Sequence, residues 1–120
     1  MRTLALSPLL LVAVAGASQA GLADVLSASA SCEASVCTFR VTVRHADAGW
    51  DHYANAWEVL LPDGSVLATR VLEHPHVEEQ PFTRELRDVK VPANVTSVRI
   101  RARDSVHGYG GREVVVPLGN

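Results

Sequence analysis

Thr38-Phe-Arg-Val-Thr-Val-Arg44 and Val95-Thr-Ser-Val-Arg-Ile-Arg-Ala-Arg103 decide the fold. In the first stretch Phe39, Val41 and Val43 alternate with Arg40, Thr42 and Arg44. In the second, Val98, Ile100 and Ala102 alternate with Arg99, Arg101 and Arg103. Successive side chains of a strand point to opposite faces, so each stretch predicts a strand with one apolar, inward face and one solvated face. Working outward, Asp24 to Ser31 is a weaker first strand closed by a turn holding the cysteines. Trp57 to Leu61 follows, with Trp57, Val59 and Leu61 inward. The turn Pro62-Asp63-Gly64-Ser65 leads into Val66 to Leu72. Phe82 to Val91 is ended by Pro92-Ala93-Asn94, and Arg112 to Pro117 is the last strand. No segment carries a helical period and no internal repeat is present. Seven short strands with regular turn signals predict an all-β fold, an antiparallel β-sandwich of immunoglobulin or fibronectin type.

Residues 1–20 read differently. Arg2 gives a short positive start, Leu4 to Ala17 form an apolar stretch, and Ser18-Gln19-Ala20 ends it in the small-x-small pattern of a signal-peptidase site. The apolar core is shorter than the ~20 residues a spanning helix wants. No cysteine follows the expected cut, which argues against a lipid anchor, and no later segment is apolar enough to cross a membrane. The expected product is a periplasmic or secreted single domain, residues 21–120. Of the 11 basic residues Arg2 leaves with the leader, so the domain sets 10 against 13 acidic ones. That mildly negative balance, with no basic excess, argues against nucleic-acid binding. Cys32 and Cys37, an even pair in an oxidising compartment, read as a disulfide, with free thiols or metal ligands as the alternatives.

Strand alternation sorts the connections into two ends. The cysteine turn, Pro62–Ser65 and Pro92–Asn94 fall at one end; His45–Asn55, His74–Pro81 and Asp104–Gly111 fall at the other. The second group holds every histidine: His45, His52, His74, His76 and His107. The cysteines should sit roughly 20–25 Å away, at the usual strand rise. Solvated histidines on surface loops are one explanation. Parity favours another: His45 continues the inward series Phe39, Val41, Val43, and Asp104 continues Val98, Ile100, Ala102. Both should therefore point over the top of the core. Neutral imidazoles are the commonest protein ligands for divalent transition metals.

The remaining candidates flank these. His74-Pro75-His76 sets two imidazoles around a rigid proline, or is a plain turn. In Gly49-Trp50-Asp51-His52-Tyr53, Asp51 is placed to orient a ligating ring as an outer acceptor. Trp50 and Tyr53 either line the pocket or cap the core. Arg84 shares the inward parity of Phe82 and Leu86 and needs an anionic partner, for which Glu79, Asp104 or a bound anion would serve.

His45-Ala-Asp-Ala-Gly-Trp-Asp-His52-Tyr-Ala-Asn-Ala-Trp57, followed by Ala102-Arg-Asp104-Ser-Val-His107-Gly108, resembles the iron domain of superoxide reductases, the desulfoferredoxin-like family. The resemblance covers about residues 41–61 and 99–108. It implies an immunoglobulin-like sandwich and a ferrous centre with equatorial imidazoles and an axial thiolate, with His45, His52 and His107 on ligand positions. Trp57 matches the tryptophan that follows the second of them. Asp104 stands where that family has its thiolate, and residues 21–31 hold no counterpart of its lysine-containing ligand segment. Thiolate donation tunes such an iron centre, so the substitution bears directly on the activity. The Gly-Trp-Asp-His-Tyr and His-Pro-His patterns are also similar to a group of uncharacterised small exported bacterial proteins.

Together these readings predict one divalent transition metal, Fe or Cu ahead of Zn, held by His45, His52, His107 and one of His74 or His76. Asp104 would be a further ligand or an outer acceptor. A superoxide-reductase-like redox enzyme and a metal-free recognition module using the loop aromatics are the alternatives. No nucleophile–base arrangement supports a hydrolase, and no protein partner can be named.

Overall fold

A computed structural model describes residues 21–119; the expected signal segment, residues 1–20, lies outside the described residues. Seven strands run β1 Asp24–Glu33, β2 Val36–Arg44, β3 Ala54–Leu60, β4 Val66–Val71, β5 Phe82–Lys90, β6 Ser97–Asp104 and β7 Val114–Pro117. They form two antiparallel sheets, ordered β1-β2-β5 and β4-β3-β6-β7. The β-sandwich read from the sequence is the observed architecture. The fourth strand joins the sheet of the third, unlike the ABED/CFG division of immunoglobulin constant domains. No helix long and apolar enough to cross a membrane occurs among the described residues.

The alternation found in the sequence builds the core. Phe39, Val41 and Val43 from one sheet face Trp57, Val59, Val98, Ile100 and Ala102 from the other, all buried. Two bulges interrupt the ladders. Between Val59 and Leu60 the register with β4 shifts, while Leu60 keeps its pairing with Arg99 of β6 on the outer face; β3 ends there, leaving Leu61 only half-buried rather than in the predicted core. A second shift, opposite Cys37–Phe39, inserts an extra residue into β5, where Asp88 takes φ 58°. Bulges of this kind re-aim the side chains that follow, and Val89 is inward as a result. Strand β3 also begins three residues earlier than expected, at Ala54, because Ala54 pairs with Asp104 of β6.

The ends divide as the alternation predicts. The β1–β2 hairpin turns through Ala34 and Ser35, both left-handed at φ 53° and 69°, the geometry of a type I′ turn. Neither residue is a favoured occupant of such a turn. Behind it Cys32 and Cys37 are register partners and form a disulfide, which pins the hairpin shut. At the opposite end three long loops, between β2 and β3, β4 and β5, and β6 and β7, surround the start of β1.

Candidate metal centre

His45 and Asp104 are each the first inward position at the end of their strands, and both reach the same spot. Their side chains are fully buried. His52 enters from the β2–β3 loop, which folds back on itself: the His52 amide donates to the Gly49 carbonyl, and the Ala48 amide donates to the His52 carbonyl. Gly49, at φ 99°, permits that turn. His45 Nε2 lies 3.2 Å from His52 Nε2, and His52 Nε2 lies 3.1 Å from Asp104 Oδ1. Asp104 Oδ2 is 3.9 Å from His45 Nε2. The three side chains present ligand atoms that all lie within 4.8 Å of one another. Donors at 2.0–2.1 Å from one ion are themselves ~3–3.5 Å apart, so this group could hold a metal ion.

The hydrogen bonds around it orient the donors. His45 Nδ1 donates to Asp47 Oδ1 at 2.6 Å, inside a fully buried pair. That bond leaves Nε2 as the inward atom, the carboxylate–imidazole support that ligating histidines generally have. Asp47 Oδ1 also accepts the Ala54 amide, and Oδ2 accepts the His76 amide at 2.7 Å. Asp104 Oδ1 accepts the amides of Val106 and His107, at 2.9 and 2.6 Å, an Asx-type turn that shapes the β6–β7 loop. Burial works to raise the Asp104 carboxyl, but those two amides and the charges of His107 and His45 outweigh it, holding it below its ordinary value.

Around His45 Nε2 stand the Gly21 carbonyl at 3.1 Å, His52 Nε2 at 3.2 Å, and Asp104 Oδ2, which has no hydrogen-bond partner. The unpartnered Asp104 oxygen beside two imidazole nitrogens can be satisfied by a cation, whether a proton on a ring nitrogen or a metal ion.

The other expected residues fall into separate roles. His107 Nδ1 sits 3.2 Å from Asp104 Oδ1, and its ring lies 4.9 Å from that of His52. It is an exposed neighbour at the rim. His76 is buried, but its ring stacks on Phe82 and its Nε2 accepts from Arg84 at 2.8 Å. Burial first, and the Arg84 charge second, push its imidazole below the ordinary value. His74 is exposed and packs against His76. Neither belongs to the three-residue group. Arg84 meets Glu79 at 3.4 Å, not Asp104. Asp51 is exposed; the orienting carboxylate is Asp47, which sequence reasoning passed over. Its signal was its inward parity two residues beyond His45. Gln80 was also missed: its Oε1 accepts the His45 amide and its Nε2 donates to the His76 carbonyl, tying two loops together. Trp50, 67% exposed, meets Tyr53 edge-on at the rim.

The fold and this cluster define a β-sandwich with a buried histidine–aspartate group at one end. The chain is similar to a protein of Halomicrobium mukohataei named "Putative lipoprotein", at 41% identity over 98 residues. The match takes in 82% of this chain and 47% of the relative, so the chain spans about half the relative's length. No family model matches the chain, and no solved structure matches it with significance. The resemblance to superoxide reductases therefore has no support from these comparisons.

Proposed function

We propose that the protein is an extracytoplasmic domain that binds one divalent transition metal through His45 Nε2, His52 Nε2 and the Asp104 carboxylate. The observation that carries this is the meeting of those three ligand atoms within 4.8 Å of one another, with the His45 and Asp104 side chains fully buried, beside an Asp104 oxygen that has no hydrogen-bond partner. His107 steadies Asp104 from the rim. Two imidazoles and one carboxylate are the donor set of facial-triad Fe(II) sites, and they also suit Cu(II) and Zn(II). Fe(II) and Cu(II) are the first candidates. Export is supported by the leader-like first 20 residues, by the disulfide and by the relative's lipoprotein name.

Elemental analysis of the protein purified from the periplasm of an expression host tests the reading, alongside a His45→Ala, His52→Ala variant. About one equivalent of metal in the native protein and none in the variant is expected. Less than about a tenth of an equivalent, together with no thermal shift on adding Fe(II), Cu(II) or Zn(II), overturns it, because a ligand that binds only the folded state must raise its stability. A redox role requires the bound metal to change valence, which voltammetry of the loaded protein reads directly. The exposed Trp50–Tyr53 pair favours a second reading, a recognition surface; partner capture that is indifferent to chelators would support it.

A further inference from the structure

Residue 21 contributes to the cluster although its side chain is a hydrogen. The Gly21 carbonyl oxygen stands 3.1 Å from His45 Nε2. A Cβ at residue 21 would lie 3.2 Å from Cε1 of His107, and the backbone there has φ +93°. Glycine alone meets both conditions comfortably. The backbone of Gly21 thus sits between the buried His45 and the rim His107. Independently, Ser18-Gln19-Ala20 is the small-x-small motif that places the signal-peptidase cut immediately before this residue.

We propose that cleavage after Ala20 turns the Gly21 nitrogen from an amide into a free amine that, with the Gly21 carbonyl oxygen, completes the His45–His52–Asp104 centre. Hydrolysis of the Ala20–Gly21 peptide adds water across the bond, giving the leader a carboxylate and Gly21 its amine. An amide nitrogen has no available lone pair; an amine has one. Amine nitrogen and carbonyl oxygen of one residue close a five-membered chelate ring on a single cation. The site therefore reaches full affinity only once the chain has been exported and processed, and the cytoplasmic precursor binds metal more weakly. This inference rests on the metal reading above.

The test compares two forms of the domain: one starting at Gly21, released from a fusion by a protease that leaves no added residue, and one retaining Gln19-Ala20 ahead of it. Both should give the same far-ultraviolet circular dichroism. Calorimetric titration with Cu(II) is expected to show the Gly21 form binding tighter by at least about tenfold, since even an outer-shell partner is worth roughly ten- to a hundredfold. Affinities within about twofold of each other overturn the inference on the same scale. Binding by neither form overturns the metal reading itself, and this inference with it.

Electron paramagnetic resonance separates ligation from crowding. In protein grown on nitrogen-15 glycine the nitrogen superhyperfine pattern of Cu(II) should change in the Gly21 form and not in the extended one. An unchanged pattern in both contradicts amine ligation. Mass spectrometry of the exported protein should find Gly21 as its first residue, and a cut elsewhere also overturns the proposal.

Discussion

At one end of the sandwich a two-residue turn and the Cys32–Cys37 disulfide close β1 onto β2. At the other, three long loops bury His45, Asp47, His76 and Asp104. The first end is closed by backbone geometry and a covalent bond. The second is closed by side chains that are costly to remove from water unless every polar atom finds a partner. Most do find one, through Asp47 and Asp104 as acceptors. Asp104 Oδ2 and His76 Nδ1 do not. The cation proposed between His45, His52 and Asp104 would satisfy the first of these. The contrast sets a covalently closed end against a histidine–aspartate end within a single fold.

The sharpest way to break this contrast is to remove Asp47. Asp47→Ala leaves His45 Nδ1 and the amides of Ala54 and His76 without their acceptor. Leaving buried donors unpaired should cost roughly 3–5 kcal/mol in denaturant unfolding, and a loss below about 1 kcal/mol would show that the histidine end is not held this way. At the other end, the Cys32→Ser, Cys37→Ser double variant should lose about 2 kcal/mol, the worth of a very short disulfide loop. Its metal affinity should stay unchanged; a parallel fall in affinity would mean that the two ends are not independent.

Acid should act through His76. Its imidazole is held below the ordinary value by burial and then by Arg84, so on acidification the unfolded chain takes up the proton before the folded one. The neutral ring's contribution is therefore complete above about pH 6.5 and is lost progressively below it. His76→Gln should flatten part of that slope; identical pH profiles would remove His76 from the account. The smallest effect belongs to the outer face of β6. Arg101 pairs with Glu58 at 2.9 Å and lies over the Tyr109 ring at 3.8 Å. Because the pair is partly solvated, Arg101→Ala should cost no more than about 1 kcal/mol and should leave both ends as they were.

Strand parity made much of this legible in the sequence. The series Phe39–Val41–Val43–His45 and Val98–Ile100–Ala102–Asp104 read straight through to the two buried members of the cluster. The pairing of turns also separated the cysteines from the histidines. Parity fails where a bulge or a loop intervenes. Leu61 falls outside the core because β3 ends at Leu60, which pairs with Arg99 on the outer face. Asp47, not Asp51, supports His45, because the backbone between them reverses through Gly49–His52. His76 and Gln80 depend on how the β4–β5 loop packs against β2 and β5, which no local pattern records. Histidine count alone could not separate His52, which joins the group, from His74 and His76, which stand around Arg84 and Phe82.

Nitrogen-15 nuclear magnetic resonance of the histidine side chains tests the central claim most directly. On adding one equivalent of Zn(II), which is diamagnetic, Nε2 of His45 and of His52 should shift together while His74 and His76 keep their resonances. If none of the five imidazoles responds, or if only His74 and His76 do, the histidine–aspartate cluster is not a metal centre.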